Sequence, residues 1–162
     1  MGAVHRGGYS LYVRGLQKKH NTMKSLAKVV ESFLPGNNYI VTINLYLTPS
    51  PSKQGFEGHM DYMDSIVVQI AGCKSWKIYD KSTYPQELQV NNPEYGSMIK
   101  PTQKQLAELD YNEHIMQVGS LLYIPKGIIH EAATNCTGDS IKPSVHLTIG
   151  IEQPIESKVP EL

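Results

Sequence analysis

The stretch EHIMQVGSLLYIPKGIIHEAAT, residues 113–134, decides how the chain folds. It contains three short segments rich in apolar residues, and these are separated by the turn signals Gly119-Ser120 and Pro125-Lys126-Gly127. Short segments that end at glycine and proline turns are typical of β-strands that follow one another without helices between them. The stretch therefore predicts three strands, over residues 113–118, 121–124 and 128–134.

The same pattern extends outward through most of the chain. Parallel strands would need crossover helices between them, and the sequence offers no helical pattern at those places. The chain is therefore predicted to be mostly β, as an antiparallel sandwich or barrel. The further strands are predicted from runs rich in Ile, Val, Thr and Tyr, over residues 9–14, 39–47, 65–71, 73–79 and 145–151.

Two helices are predicted beside the strands. Apolar residues recur at helical spacing over about residues 22–34, and Asn21 or Thr22 can cap the start of this helix. A shorter helix is predicted over residues 103–109, where Thr102 begins a capping-box pattern.

Composition limits the possible classes of function. The chain has 162 residues, with 15 Lys and Arg against 15 Asp and Glu, so its formal net charge is zero. A neutral chain is a poor candidate for broad binding to nucleic acid or anionic membrane, and no apolar run approaches the about 20 residues of a transmembrane helix. We therefore expect one domain over residues 1–151, a C-terminal tail over residues 152–162, no direct contact with nucleic acid and no membrane. The two cysteines, Cys73 and Cys136, are interpreted as buried thiols.

A metal site is suggested by His59 and Asp61, which lie two residues apart. On a strand such residues point to the same face, so both side chains can bind one ion. A second histidine would complete the two-histidine, one-carboxylate set of non-haem Fe(II) oxygenases. From the residues alone, His130 is the candidate that follows a turn and a strand, and His146 and His114 compete with it.

Five motifs follow one another along the chain. They are Asn44-Leu45-Tyr46-Leu47-Thr48-Pro49, Gly55-Phe56-x-x-His59-x-Asp61, Gln69-x-x-Gly72-x-Lys74-x-Trp76-x-x-Tyr79, Gly119-x-x-Leu122-Tyr123-x-Pro125-x-Gly127-x-x-His130 and Ser144-x-His146-Leu147-Thr148. In this order they resemble the JmjC-type ribosomal oxygenases, Fe(II)- and 2-oxoglutarate-dependent protein hydroxylases of the cupin superfamily. The resemblance covers about residues 8–150. It implies a double-stranded β-helix, the jelly roll of the cupins, with one or two flanking helices.

The resemblance also implies a role for each site residue. Fe(II) would be bound by His59, Asp61 and His130, which are thus the catalytic residues. The cosubstrate 2-oxoglutarate would be bound by Lys74, Asn44 and Thr48, and the target side chain by Tyr46 and Ser144.

The pattern of the predicted strand over residues 73–79 supports Lys74 over Lys77 as the anion-binding residue. Lys74 shares a strand face with Trp76 and Ile78, so this face is expected to point inward and Lys77 outward. A buried ammonium is costly without a partner, so Lys74 is expected to receive an anion. Trp76 is interpreted as a core anchor.

The last predicted strand has one polar and one apolar face. Ser144, His146 and Thr148 share the polar face, and the apolar face opposite, with Leu147 and Ile149, is expected to be the deeper one. His146 is interpreted as a structural residue near the site and not as a metal ligand.

The implied reaction is hydroxylation of a protein side chain, with a histidine of a ribosomal protein as the leading target. Alternatives are histone lysine demethylation by the same chemistry, or a non-catalytic metal-binding cupin module. The resemblance implies an intracellular protein, in the nucleus or nucleolus of a eukaryote and otherwise in the cytoplasm. The family's dimerisation and winged-helix modules are expected to be absent, which leaves the oligomeric state open.

Overall fold

Ten strands and two α-helices form the part of the chain that the computed structural model describes, residues 10–36, 38–49, 56–89, 98–134 and 142–153. The helices are α1 (Asn21–Ser32) and α2 (Gln103–Ala107). The strands are β1 (Leu11–Val13), β2 (Ile40–Thr48), β3 (Phe56–Asp61), β4 (Asp64–Ala71), β5 (Lys74–Tyr79), β6 (Met98–Ile99), β7 (Tyr111–Met116), β8 (Leu121–Ile124), β9 (Ile129–Ala133) and β10 (Ser144–Glu152).

The strands form two five-stranded sheets in which every pairing is antiparallel. The first sheet has the order β1-β2-β10-β4-β8, and the second has the order β6-β3-β9-β5-β7. In both sheets, strands distant in sequence lie side by side, as in a jelly roll. The prediction of a mostly β jelly roll with flanking helices is confirmed.

Helix α1 covers the outer face of the first sheet. Ala27 packs there against Ile43 of β2 and Ile149 of β10 in one buried cluster, and Leu147 packs at its edge. The apolar face of β10 therefore lies under the helix, while the side chains of Ser144 and His146 are almost fully buried on the opposite side. The expectation that the apolar face is the deeper one was wrong, because the helix buries one face and the second sheet the other.

Most predicted boundaries agree with the structure within two residues. The capping box at Thr102 is present, whereas α1 begins after His20 and not after Asn21 or Thr22. Strands β3 and β6 were not among the predicted strand ranges, although the His59 motif was expected on a strand. Of the predicted tail, residues 154–162 lie outside the described residues, so that prediction stays untested.

Cys73 lies in the turn between β4 and β5. Cys73 is disulfide-bonded, so its interpretation as a thiol was wrong; the sequence does not show which distant segments approach this turn. Cys136 lies outside the described residues.

Within the described ranges, no helix is both long and apolar enough to cross a membrane.

Residues 80–89, which follow β5, are attached to β9 by Tyr84. The hydroxyl of Tyr84 accepts a hydrogen bond from the backbone N–H of Ile129 at 2.6 Å and donates one to the carbonyl of Tyr79 at 3.3 Å. The ring is buried in a cluster with Met60, Leu106 and others. This tyrosine thereby fixes β9 one residue before His130.

Candidate metal centre

His59, Asp61 and His130, which we call the triad, meet between the neighbouring strands β3 and β9. The strand register places His59 directly opposite His130, and Asp61 ends β3. One ligand atom from each residue lies within 4.8 Å of the others. Nε2 of His59 and Nε2 of His130 each lie 3.8 Å from an oxygen of Asp61. Of the three histidines that the sequence left open, the fold therefore brings His130 to the pair.

Backbone carbonyls orient both imidazoles of the triad. Nδ1 of His59 lies 2.7 Å from the carbonyl of Glu57, and Nδ1 of His130 lies 2.9 Å from the carbonyl of Ile128. A carbonyl only accepts hydrogen bonds, so each Nδ1 carries a proton, and a neutral ring then has its lone pair on Nε2, toward Asp61. This is the arrangement in which histidines ligate a metal ion.

The electrostatics of His130 also suit ligation. Burial and, to a smaller extent, the neighbouring His59 lower the pKa of His130 to about 4, although Asp61 opposes the shift. The imidazole is therefore neutral at physiological pH, as metal binding requires. Two imidazole nitrogens and one carboxylate fit Fe(II) and leave coordination positions open for reactants.

A cavity of about 650 Å³ opens onto the triad. Of the residues predicted to bind cosubstrate or target, Asn44 and Tyr46 line it. The other three, Lys74, Thr48 and Ser144, are fully buried and are not among the cavity-lining residues. The fold thus divides the predicted site into an open part and a closed part.

The closed part contains Lys74, Thr48, Gln69 and Ser144, which we call the lysine cluster. Nζ of Lys74 donates to Oγ1 of Thr48 at 2.8 Å, and Nε2 of Gln69 donates to Oγ of Ser144 at 2.8 Å. No described carboxylate forms an ion pair with Lys74. Burial lowers its pKa to about 8, because the charged form loses its hydration.

The opposite face of β5 confirms which lysine points inward. Lys77 lies on the outer side of the sheet, where its Nζ is 3.0 Å from a carboxylate oxygen of Glu131. Lys74 is completely shielded from solvent. The alternation of side chains along a strand was sufficient to predict this difference.

Aromatic side chains connect the open part with the closed part. The rings of Tyr46 and His146 are stacked with centroids 4.8 Å apart, and Trp76 meets His146 edge to face at 5.4 Å. Burial and the charge of Lys74 lower the pKa of His146 to about 3, so its ring is neutral. Trp76 is a core residue as expected, but it also lines the cavity, 6.0 Å from the ring of His130.

Asn44 fixes the position of Gly15 at the cavity mouth. Its side-chain oxygen accepts a hydrogen bond from the backbone N–H of Gly15 at 3.0 Å. The sequence predicted Asn44 at the site, but it did not indicate this contact, which joins residues 29 positions apart.

Several cavity-lining residues were not singled out from the sequence. Phe56 lies 5.7 Å from the ring of His59, because an irregularity in the β3–β9 pairing between these two residues breaks the simple alternation. No short-range pattern predicts such a bulge. The other residues missed include Tyr12, Arg14, Gln17, Lys18 and Lys19, which approach the triad only through the tertiary fold.

The chain is similar to known proteins over most of its length. The JmjC domain family matches residues 16–158. Curated relatives include "Bifunctional lysine-specific demethylase and histidyl-hydroxylase NO66" of Drosophila yakuba, 30% identical over 81% of this chain and 17% of that protein. "Ribosomal oxygenase 1" of Gallus gallus is 37% identical over 68% of this chain and 16% of that protein. The chain thus spans about a sixth of the length of these relatives.

Solved structures share the fold at lower identity. The Escherichia coli protein YcfD has a TM-score of 0.68 at 18% identity, covering 96% of this chain and 37% of that one. A structure described as YcfD, a ribosomal oxygenase, with cobalt and 2-oxoglutarate has a TM-score of 0.61, also at 18% identity, covering 96% of this chain and 35% of that one. At this identity the likeness concerns the fold alone.

Proposed function

Since this chain belongs to the JmjC domain family, we propose that it is an Fe(II)- and 2-oxoglutarate-dependent dioxygenase that hydroxylates a protein side chain. The observation that carries the proposal is the triad, whose two Nε2 atoms and one carboxylate converge on a cavity. The fully buried lysine of the same barrel, which has no carboxylate partner among the described residues, supports it. A metal site alone would not need this buried cation.

The proposed roles follow the positions of the side chains. The triad holds Fe(II), and Lys74 binds the distal carboxylate of 2-oxoglutarate, with Thr48 beside its Nζ. Fe(II), 2-oxoglutarate and O₂ together supply the oxidation of a C–H bond, with succinate and CO₂ as co-products. Lys74 does not line the cavity, so 2-oxoglutarate reaches it only after neighbouring side chains move.

Of the remaining predicted residues, Tyr46 and Asn44 line the cavity and keep their proposed roles, whereas Ser144 is fully buried away from it. Tyr46 is at the cavity wall and can contact the target side chain, whereas Ser144 accepts from Gln69 in the closed part. The side-chain oxygen of Asn44 is bound to Gly15, which leaves its amide NH₂ to reach the cosubstrate.

The relatives support a protein target. Their names specify a histidyl-hydroxylase, a lysine-specific demethylase and a ribosomal oxygenase. We favour a histidine of a ribosomal protein, with methylated lysine of a histone as the second candidate. For a eukaryotic source this target places the protein in the nucleus or nucleolus, and otherwise in the cytoplasm.

The test is turnover of 2-oxoglutarate by the purified chain with Fe(II) and O₂. We expect succinate to form, to depend on Fe(II), and to stop when a chelator removes the metal. Peptides from ribosomal proteins are then screened by mass spectrometry for the gain of one oxygen atom, with methylated histone peptides in parallel. A chain that binds metal but neither binds nor decarboxylates 2-oxoglutarate would instead be a non-catalytic cupin module.

A further inference from the structure

One wall of the cavity mouth is formed by residues 14–19, which we call the basic rim. Its three cations, Arg14, Lys18 and Lys19, are exposed to solvent, and all three line the cavity that contains the triad. Leu16–Lys18 form one turn of 3₁₀ helix. The cations thus lie where a bound peptide would enter.

Two hydrogen bonds hold the basic rim against β2. The N–H of Gly15 donates to the side chain of Asn44 at 3.0 Å, and the side chain of Gln17 accepts from the N–H of Ile43 at 3.0 Å. Gly15 has a φ of +65°, a left-handed conformation that glycine adopts without strain. The position of the cations is therefore set by the sheet and not by a free loop.

The charge of the basic rim is not neutralised by the described part of the chain. None of its three cations forms an ion pair with a described carboxylate. Among the cavity-lining residues that the structure describes, Asp61 alone carries a carboxylate, and this faces the triad histidines. Among the described residues, the mouth therefore presents a positive potential that no paired carboxylate neutralises.

A short series of rings connects the basic rim with the triad. The guanidinium of Arg14 lies 5.9 Å from the ring centroid of Tyr12, which stacks on Tyr46 at 4.5 Å. Tyr46 meets Phe56 edge to face at 5.1 Å, and Phe56 neighbours His59. An extended peptide advances about 3.3–3.6 Å per residue, so residues close to the target residue in sequence can reach this rim.

We propose that the basic rim binds carboxylate side chains flanking the hydroxylated residue, so that the enzyme selects targets within acidic peptide segments. This specificity rests on the proposed function. A peptide is favoured over RNA because the chain has zero net charge and the rim offers three cations at the mouth of a side-chain-sized cavity.

The experiment compares three peptides of equal length, each with one central histidine flanked by glutamates, glutamines or lysines. Binding is measured anaerobically by fluorescence anisotropy, with Fe(II) and 2-oxoglutarate present and at two salt concentrations. The rim variant carries Arg14→Glu, Lys18→Glu and Lys19→Glu. The matched control carries Lys24→Glu and Lys28→Glu on the exposed face of α1, away from the cavity. Circular dichroism and Tm establish that both variants fold.

We expect the unmodified chain to bind the glutamate peptide about tenfold more tightly than the glutamine peptide, since each exposed ion pair contributes up to about fivefold. The preference should weaken with salt, reverse toward the lysine peptide in the rim variant and persist in the control variant. Equal binding of the three peptides would overturn the proposal. An equal loss in the control variant, or tighter binding of a short single-stranded RNA than of any peptide, would also overturn it.

Failure of the proposed function would look different. In that case no succinate would form from 2-oxoglutarate, whatever peptide is added. The preference for glutamate over glutamine in the binding measurement does not depend on turnover, so the two failures are distinguished.

Discussion

The triad and the lysine cluster are both polar groups inside one barrel, yet they are prepared for their ligands differently. The triad opens onto the cavity, and backbone carbonyls already fix its imidazoles with Nε2 free. The lysine cluster is closed, and Thr48 already occupies one hydrogen-bonding position of the Lys74 ammonium. Metal therefore enters a preformed site, whereas 2-oxoglutarate must replace interactions that the protein makes with itself.

Binding of the metal ion and binding of 2-oxoglutarate therefore depend on different interactions. Metal affinity depends on geometry that the strands β3 and β9 impose. Affinity for 2-oxoglutarate depends on the charge of the buried Lys74. Burial removes the hydration of this ammonium, and the bound anion compensates for that loss. Substitutions and pH can separate the two.

The largest effect is expected from His130→Ala. Loss of a partner that only orients a ligand costs about 10- to 100-fold in metal affinity, so loss of the ligand itself should cost at least about 100-fold. The matched control is His146→Ala, which removes an equally buried histidine outside the triad and should leave Fe(II) affinity within a few-fold of the unmodified chain. Anaerobic titration with Fe(II) measures both. Similar losses in the two variants would show that the triad is not the metal site.

A smaller effect of a different kind is expected from Lys74→Met. Loss of a charged hydrogen-bonding partner should weaken 2-oxoglutarate binding by about 10- to 100-fold while Fe(II) binding is retained. The free energy of unfolding at pH 7 should rise by on the order of 1–2 kcal/mol, because the buried ammonium is removed while the Thr48 hydroxyl keeps its hydrogen bond with the Ser10 hydroxyl at 3.0 Å.

Lys77→Met is the matched control for this change, since Lys77 is paired on the outer face of the same strand. It should change the free energy of unfolding by less than about 1 kcal/mol and leave 2-oxoglutarate affinity unaltered. Chemical denaturation and anaerobic titration give both values. If Lys74→Met destabilises the unliganded chain, the lysine cluster is a structural network and not a site awaiting an anion.

The smallest effect is expected from pH. Burial lowers the pKa of Lys74 from 10.5 to about 8, so its charge is present below pH 8 and lost above it. Affinity for 2-oxoglutarate, measured with Mn(II) in place of Fe(II), should therefore fall by about tenfold between pH 7 and pH 9. Pyruvate shares the 2-oxo acid but lacks the distal carboxylate, so its affinity should not follow this decline. If the affinities for both acids declined in parallel as the pH rises, Lys74 would not be the residue that binds the distal carboxylate.

The sequence was informative where one local pattern determines the outcome. Alternation along β5 distinguished Lys74 from Lys77, and the two-residue spacing placed His59 and Asp61 together. The turn signals in residues 113–134 located the strand that carries His130.

The sequence was less informative where contacts between distant segments determine the structure. Nothing local shows that α1 covers the apolar face of β10, so its polar face was not recognised as the inner one. The basic rim depends on contacts between residues 15 and 44 and between residues 17 and 43, which no spacing rule predicts. Strand β6 has two residues, too few for any periodicity.

The hydroxyl of Tyr84 has a consequence for cooperativity. Because it binds the amide of Ile129, the order of residues 80–89 and the position of His130 are parts of one equilibrium. Thermodynamic linkage then requires reciprocity: metal binding stabilises this connection by the same free energy with which the ordered connection strengthens metal binding. Amide hydrogen exchange at Ile129 should consequently slow when the triad binds metal, so that an amide bound by a tyrosine outside the cavity reports on the metal within it.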